Sequence, residues 1–475
     1  MNEIGNNSVL ENVNIEVKAS LRALVAIGIF ICMLSNNFIG TAFGTALPKM
    51  LESLAVTQMN FIGLLFTLSI LVTAVFTPMA ANISKRIGRK KLFLIGSIIN
   101  VISIILMYFS STLFTMIASR GLQGFGSAFI FATGLSLIGD VFPASQRAKW
   151  LSGYGVITSV GSLGGPLIAG LLVDYYNWRS IFLIAILVGL IGTFMVSYSL
   201  PKDIVTNEDV KSKFDYLGSL TFGLSLAFIL GVCITGGTFF QWMSVTTFLL
   251  IGVGLILLLA FIKIEKNSTS PILPLEMFKY NVFTICVICV CLNTIATMAV
   301  TTYLPYFIQA VMLKSATVSG SMVATLSLLS MILGPIIGQI VARTGKFKFM
   351  TILATVFVAV PSLVISTFSP TTTLLYAWVV IASIGINSGI TQFIYTAAVQ
   401  NGVPNNKISL ATGGTQLGVV IGAMLGIAFT GIIMTSMPDL SISLPFMFRF
   451  SAIVAIIGGI LLLFLKESHQ EVLSK

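Results

Sequence analysis

The sequence predicts an all-α polytopic membrane protein: fourteen spanning helices, arranged as two six-helix bundles with a two-helix hairpin inserted between them. Three observations predict it. Of the 475 residues, 56% are hydrophobic and only 9% are charged, and the mean hydropathy is +1.02, whereas soluble domains carry about 25% charged residues. The apolar residues gather into windows of about 20, the length that crosses a bilayer as a helix. One motif also recurs at corresponding positions in the two halves of the chain, a mark of transporters built from paired bundles.

The predicted spans, in order, lie near 22–45, 59–82, 92–110, 112–138, 149–173 and 178–199 in the first half. A polar linker over 201–216 leads to a hairpin near 217–235 and 243–264. The second half continues with spans near 281–306, 316–341, 348–367, 373–398, 409–434 and 444–465. Three units follow: residues 1–200, an N-terminal six-helix bundle; 201–270, linker and hairpin; and 271–475, a C-terminal six-helix bundle. The first twenty residues are polar and the first apolar stretch is long enough to span, so no cleavable signal peptide is expected.

Charge placement tests the count. With the N-terminus in the cytoplasm and spans alternating, 21 of the 26 Lys and Arg residues fall on the inner side; Lys49, Arg179 and Lys314 fall outside, Arg449 at an outer helix end and Arg120 within a span. This asymmetry follows the positive-inside rule and puts both termini in the cytoplasm. The net charge of +11 is therefore a topology signal, and nucleic acid is not an expected partner. The hairpin is expected to be dispensable for the twelve-helix core.

Several residue types are out of place in hydrocarbon and so point to function. Arg120 stands roughly 12 Å into its span at 1.5 Å per residue, where an arginine costs at least ~2.5–3.5 kcal/mol. Gln123, Gly124, Ser127 and Gly134 share its face, which must look into the bundle or a water-filled cavity. Other polar faces are Asn37, Thr41, Gly44 and Thr45 in the first span, Asn293, Thr297 and Thr301 in the ninth, and Asn387 with Thr391 and the adjoining Gln392 in the twelfth. Each is either a cavity wall or a helix–helix hydrogen bond. All fifteen acidic residues lie in loops, tails or span ends, so Asp140 and Asp174, at span ends, are the carboxylates nearest to the core helices. The fifth span carries Gly161, Gly165 and Gly170 with Pro166, residues that cost an isolated helix about 1 kcal/mol per glycine and 3 for the proline. Gly161 and Gly165, four apart, admit a close helix neighbour. The stretch is either tight packing or a conformational hinge. Cys286, Cys289 and Cys291 are spaced over different helix faces, and no histidine or carboxylate stands near, so they read as packing residues and no metal is expected. No cofactor is called for either, and a nucleotide-binding loop is absent: Gly345-Lys346 is followed by Phe347. With no buried nucleophile–base pair, an enzyme is not expected.

The repeated motif is Pro78-Met-Ala-Ala81-Asn-Ile83-Ser-Lys-Arg86-Ile-Gly88 after the second span and Pro335-Ile-Ile-Gly338-Gln-Ile340-Val-Ala-Arg343-Thr-Gly345 after the tenth. The first copy, continuing through Arg89 and Lys90, resembles the loop between helices two and three of the major facilitator superfamily, with Lys85 where that family has aspartate. Gly161-Ser-Leu-Gly-Gly165-Pro166 with Gly170 resembles the antiporter motif of its drug exporters. Arg120-Gly-Leu-Gln123-Gly124 is similar to the family's fourth-helix motif. Together with the inserted hairpin these matches resemble the fourteen-span drug/proton antiporter branch. The resemblance implies the major facilitator fold, a cytoplasmic latch built on Arg86, Gly88, Arg89 and Arg343, proton coupling through Arg120, and a central cavity lined by the first, fourth, seventh and tenth core helices.

The resulting expectation is a secondary active exporter of small amphipathic compounds, coupled to protons by alternating access, monomeric, in a bacterial plasma membrane. Asp140 or Asp174 is the expected proton carrier, with Asp140 also the nearest partner for Arg86 or Arg89 and Arg147 and Arg179 as partners competing for the two carboxylates. Lys90 and Lys91 are expected only to hold topology. The alternatives are export of an endogenous lipid, metabolite or peptide on the same fold, and a transporter-like sensor without transport. With Ile39 where the branch often has aspartate, a permanently cationic cargo finds no carboxylate in the hydrocarbon.

Overall fold

The computed structural model describes residues 19–54, 62–200, 216–236, 240–241, 243–267, 275–344, 347–404, 407–437 and 439–465. Fourteen long helices account for nearly all of them: α1 (Ala19–Ser53), α2 (Ile62–Ile87), α3 (Arg89–Phe109), α4 (Leu113–Val141), α5 (Ala144–Tyr175), α6 (Ser180–Ser199), α7 (Tyr216–Thr235), α8 (Val245–Asn267), α9 (Asn281–Ala310), α10 (Ala316–Thr344), α11 (Phe347–Ile365), α12 (Leu374–Asn401), α13 (Ile408–Ser436) and α14 (Leu440–Leu462). Each coincides with one expected span, most ends agreeing to within a few residues. Several run past it, as α1 does by eight residues beyond residue 45. Twelve are long and apolar enough over described residues to cross a membrane, while the described apolar stretches of α2 and α7 are shorter, Gly63–Thr77 and Leu217–Ile229. The chain forms helices because a backbone surrounded by lipid must satisfy its own hydrogen bonds.

The internal repeat extends from sequence to packing. In the N-terminal half α1 packs on α5 and α6, α4 on α2 and α3, and α3 on α6; in the C-terminal half α9 packs on α13 and α14, α12 on α10 and α11, and α11 on α14. Helix for helix the pairings are the same. The halves meet along α5–α10, α2–α13 and α1–α9, and the first two seams exchange under the same correspondence. The hairpin packs α7 on α8 and lays α7 against both α2 and α13.

Close helix approach depends on missing side chains. A Cβ on Gly124 would stand 2.4 Å from the backbone oxygen of Ser69, so α4 can meet α2 there only as glycine. Gly88 joins α2 to α3 by a single residue at φ 100°, a backbone region that favours glycine. That requirement explains Gly88 within the expected latch independently of any switching role.

Electrostatic ties fix the helix ends. Arg89 at the start of α3 pairs with Asp140 at the end of α4. Lys90 is buried and donates to the carbonyls of Ser197 and Leu200, so it caps the C-terminus of α6. This corrects the expectation that it serves topology alone. Arg179 bonds the carbonyls of Tyr108 and Ser110 and lies 4.1 Å over the Trp178 ring, so it does not compete for Asp174. The side chains of Arg86, Arg147 and Arg343 lie outside the described residues.

Candidate functional site

Between the halves lies a cavity of about 630 Å³, walled by α1, α2, α4 and α5 on one side and by α9, α10 and α13 on the other. Most of its wall is apolar, including Phe66, Phe131, Met298, Leu326 and Val420. The polar exceptions cluster on the N-terminal half. Arg120 reaches the wall from α4, buried to 3% exposure. Its Nε donates to the carbonyl of Leu65 at 2.8 Å, its Nη1 to Gln123 Oε1 at 2.5 Å, and its guanidinium carbon lies 4.6 Å from the centre of the Phe43 ring. Among the described residues no ion pair involves Arg120. A buried cation without a counter-ion survives by such hydrogen bonds and ring contacts, and it leaves the cavity with a positive potential. Gln123 turns its amide oxygen to the arginine, and its Nε2 is buried with no hydrogen-bond partner.

Thr41, Gln123 and Ser127 line this cavity as expected from their helix faces. Asn37 does not; its neighbour Asn36 does, and Asn36 Nδ2 donates to Ser127 Oγ. Asn37 turns to α5, where its Nδ2 donates to the carbonyl of Thr158 at 3.4 Å. One residue is about 100° of helix rotation, so an adjacent Asn pair is ambiguous from spacing alone. Ser69, Thr73 and Thr77 of α2 also line the cavity, and none of them was expected there. Their i, i+4, i+8 spacing was a signal for one polar face.

Asn293, Thr297 and Asn387, expected in the central cavity, instead line a second chamber of about 170 Å³ inside the C-terminal half, between α9, α12 and α13. Asn387 Nδ2 donates to Asn293 Oδ1 at 3.1 Å, and Thr391 Oγ1 stands 3.2 Å from the same oxygen. Met298 and Gln416 border both spaces. The side chain of Gln392 lies outside the described residues.

The α5 motif contacts both of its neighbours. A Cβ on Gly165 would meet Thr41 Oγ1 at 2.1 Å and one on Gly161 would meet Asn37 Cβ at 3.1 Å, so this pair serves α1 of the same half. The close approach across the halves is made further along. Gly320 of α10 faces the carbonyl of Pro166, whose oxygen would lie 2.1 Å from an added Cβ, and Gly170 faces the carbonyl of Ala316 with a corresponding distance of 2.5 Å. Beside them Asp174 accepts from the backbone N–H groups of Ala316 (3.2 Å) and Thr317 (2.7 Å), capping α10 from the opposite half. Gln309 of α9 donates to the carbonyl of Thr45 at 2.9 Å. The ties across the halves all sit toward the end of the bundle where α1 finishes and α10 begins. The cavity extends the other way, to Thr77, Phe131 and Gly413.

Among the described residues no group of His, Cys, Asp and Glu could hold a metal ion. Cys286 and Cys289 are buried in the core of the C-terminal half.

Two bundles with one packing plan, meeting around an amphipathic cavity with the buried cation Arg120 in its wall, define a membrane transporter. Residues 25–417 match the sequence profile of the Major Facilitator Superfamily, and the chain belongs to that family. It is therefore a transporter and not an enzyme. It is 30% identical over 422 residues to the multidrug transporter protein MdtP of Bacillus subtilis, covering 89% of this chain and 77% of that one. It is 26% identical over 336 residues to the riboflavin transporter RibZ of Clostridioides difficile, covering 69% and 71% respectively. A solved structure of an auto-inhibited POT family peptide transporter matches with a TM-score of 0.69 at 13% identity, covering 95% of this chain and 98% of that one, a likeness of fold.

Proposed function

We propose that the protein exports small amphipathic compounds from a bacterial cell by alternating access, driven by proton influx, with both termini cytoplasmic. The observation that carries this is the cavity itself. A space of about 630 Å³ holds a drug-sized molecule, its apolar wall suits the body of an amphipath, and Arg120 with the unpartnered Gln123 Nε2 offers donors to its polar end. None of the described lining residues is acidic, so neutral, zwitterionic and anionic cargo are favoured over permanent cations. The name of the relative MdtP supports the drug class. The cavity is complete within one chain, which supports a monomeric unit. The alternative, export of an endogenous metabolite, draws support from the relative named as a riboflavin transporter.

Of the two candidate proton carriers, Asp174 is favoured because it alone bridges the halves. As a carboxylate it accepts two N–H groups and complements the positive end of α10. Protonation from the outer side removes that charge and one acceptor site, which favours release of the outer ends. Lys49, Glu52 and Lys314 border the same recess. Asp140 is paired within its own half by Arg89, so it can brace a bundle but has no direct hold on the other.

The test is efflux of an anionic or neutral fluorescent amphipath from energised vesicles. Efflux that requires a proton gradient and collapses with a protonophore is expected. Accumulation indifferent to the gradient would refute the coupling, and no transport of either cargo type would refute the exporter reading.

A further inference from the structure

The second chamber is built for a ligand group, and we propose that it takes an uncharged hydrogen-bond acceptor of the cargo, such as a ketone or amide carbonyl, while Arg120 holds the cargo's other polar end. This rests on the reading of the main cavity as the transport site.

Asn293 is 1% exposed, and its carbonyl oxygen is surrounded by donors from Asn387 and Thr391. Thr391 Oγ1 also stands 3.1 Å from Asn387 Oδ1. Its single proton serves one of the two oxygens at a time; the donation from Asn387 Nδ2 to Asn293 Oδ1 fixes the Asn293 amide and turns its Nδ2 away. That nitrogen is buried without a partner on the chamber wall. Tyr395 lines the same chamber, and its hydroxyl is likewise buried without a partner. Buried polar groups are normally bonded, and an orphan in a cavity points to a missing acceptor.

The size and charge of the space narrow that acceptor. At about 170 Å³ the chamber exceeds the room of a single water, roughly 30 Å³ in the liquid, and admits the edge of a ring system. No charged side chain is among its described lining residues, so an ionised group entering it would lose its hydration without a counter-ion. A neutral carbonyl loses less and satisfies an orphan donor. Only side chains separate it from the main cavity there: Met298, with three rotatable bonds, and Gln416 line both spaces.

The test compares binding of fluorenone carboxylate and fluorene carboxylate, which differ by one ketone oxygen, to the purified full-length protein by calorimetry. The wild type is expected to bind the ketone acid about five- to tenfold more tightly, the usual worth of one hydrogen bond. Asn293→Leu should abolish that preference. Where Asn293→Leu does not yield folded protein, Tyr395→Phe decides, since it removes only a hydroxyl that the fold leaves unbonded; a reduced ketone preference is expected. An undiminished preference in the deciding variant would overturn the proposal. Equal binding of both acids by the wild type would overturn it too, leaving the main cavity as the whole site. Binding of neither acid would count against the proposed function itself, and this inference with it.

Discussion

Two of the seams that join the halves, α5–α10 and α2–α13, occupy equivalent places, yet they are built differently. Along α5–α10 backbone meets backbone: Gly170 lies on Ala316, Gly320 on Pro166, and Asp174 caps the incoming helix. Along α2–α13 the contact is made by side chains, with Met424 and Ala428 among Leu64, Ile70, Leu71 and Ala74. Leu226 of the hairpin joins that cluster. A seam of glycines and carbonyls fits in one register or not at all, because nothing in it can adjust its rotamer. A seam of aliphatic side chains can slide and repack. The first suits a contact that must make and break between two states; the second suits a contact that yields while the first one switches. The two seams also differ in what covers them, since only α2–α13 is flanked by α7.

The largest effect should come from breaking the tight seam. Gly320→Leu places a branched side chain where even a Cβ would lie 2.1 Å from the Pro166 carbonyl. Transport should fall to background, on the order of a hundredfold or more, while the protein still inserts and purifies; overpacking of a seam costs about 1–3 kcal/mol or more and opposes only the closed state. Single-turnover efflux at normal expression measures it. Near-normal efflux would show that the halves do not close against each other here. Gly165→Leu acts on α1 within the half and should damage stability and transport together, a distinction visible as a lowered melting temperature.

Next come the two replacements of Asp174. Asparagine caps helices about as well as aspartate, so Asp174→Asn should keep the outer ends closed but lose the response to outer acidification. Asp174→Ala removes the cap and should raise labelling of a cysteine placed at Lys314 several-fold at every pH. If both variants retain the wild-type pH response, the proton acts elsewhere.

The yielding seam should tolerate what the tight one cannot. Leu226→Ala leaves a half-buried gap between α7 and the α2–α13 cluster, so a loss of about 1–2 kcal/mol in stability is expected, with efflux within about twofold of wild type. Loss of transport as complete as in Gly320→Leu would erase the contrast between the seams, and would show the hairpin to be part of the working core.

Helices and the repeat were legible because they are one-dimensional: apolar length and identical spacing after Pro78 and Pro335 both survive in the linear chain. Arg120 was legible for the same reason, since an arginine inside an apolar span shows in the linear chain. The division of polar residues between two compartments was not. Whether Asn36 or Asn37 faces the cavity turns on 100° of helix phase, and whether Asn293 faces the halves' junction or α12 depends on a tertiary partner. The role of Asp174 was hidden for a further reason: its partners are backbone N–H groups of Ala316 and Thr317, which no side-chain pattern displays. The same holds for Lys90 and the α6 carbonyls.

The smallest effect lies away from both seams and serves as a control on them. Asp439 caps α14, accepting from the hydroxyl and the backbone N–H of Ser441 at 2.8 Å each. Those bonds hold its carboxyl below the ordinary carboxylate range. Its contribution is therefore present above the unfolded carboxylate pKa and is lost as pH falls through the lower folded value. Asp439→Ala should lower the melting temperature slightly at neutral pH, with the difference from wild type vanishing in acid, and should leave efflux unchanged at either seam's working pH.

The central claim is that Arg120, the one cation among the described residues lining a cavity whose described lining includes no carboxylate, selects the cargo. It is tested most directly by efflux of a matched pair of dyes, one anionic or neutral and one a quaternary ammonium, from energised vesicles carrying wild type or Arg120→Ala. Strong export of the first dye and weak export of the second are predicted for wild type. Arg120→Ala should cut export of the anion about ten- to hundredfold, as expected for loss of a charge-assisted hydrogen bond. Strong quaternary ammonium export by wild type, unimpaired in Arg120→Ala, would contradict it.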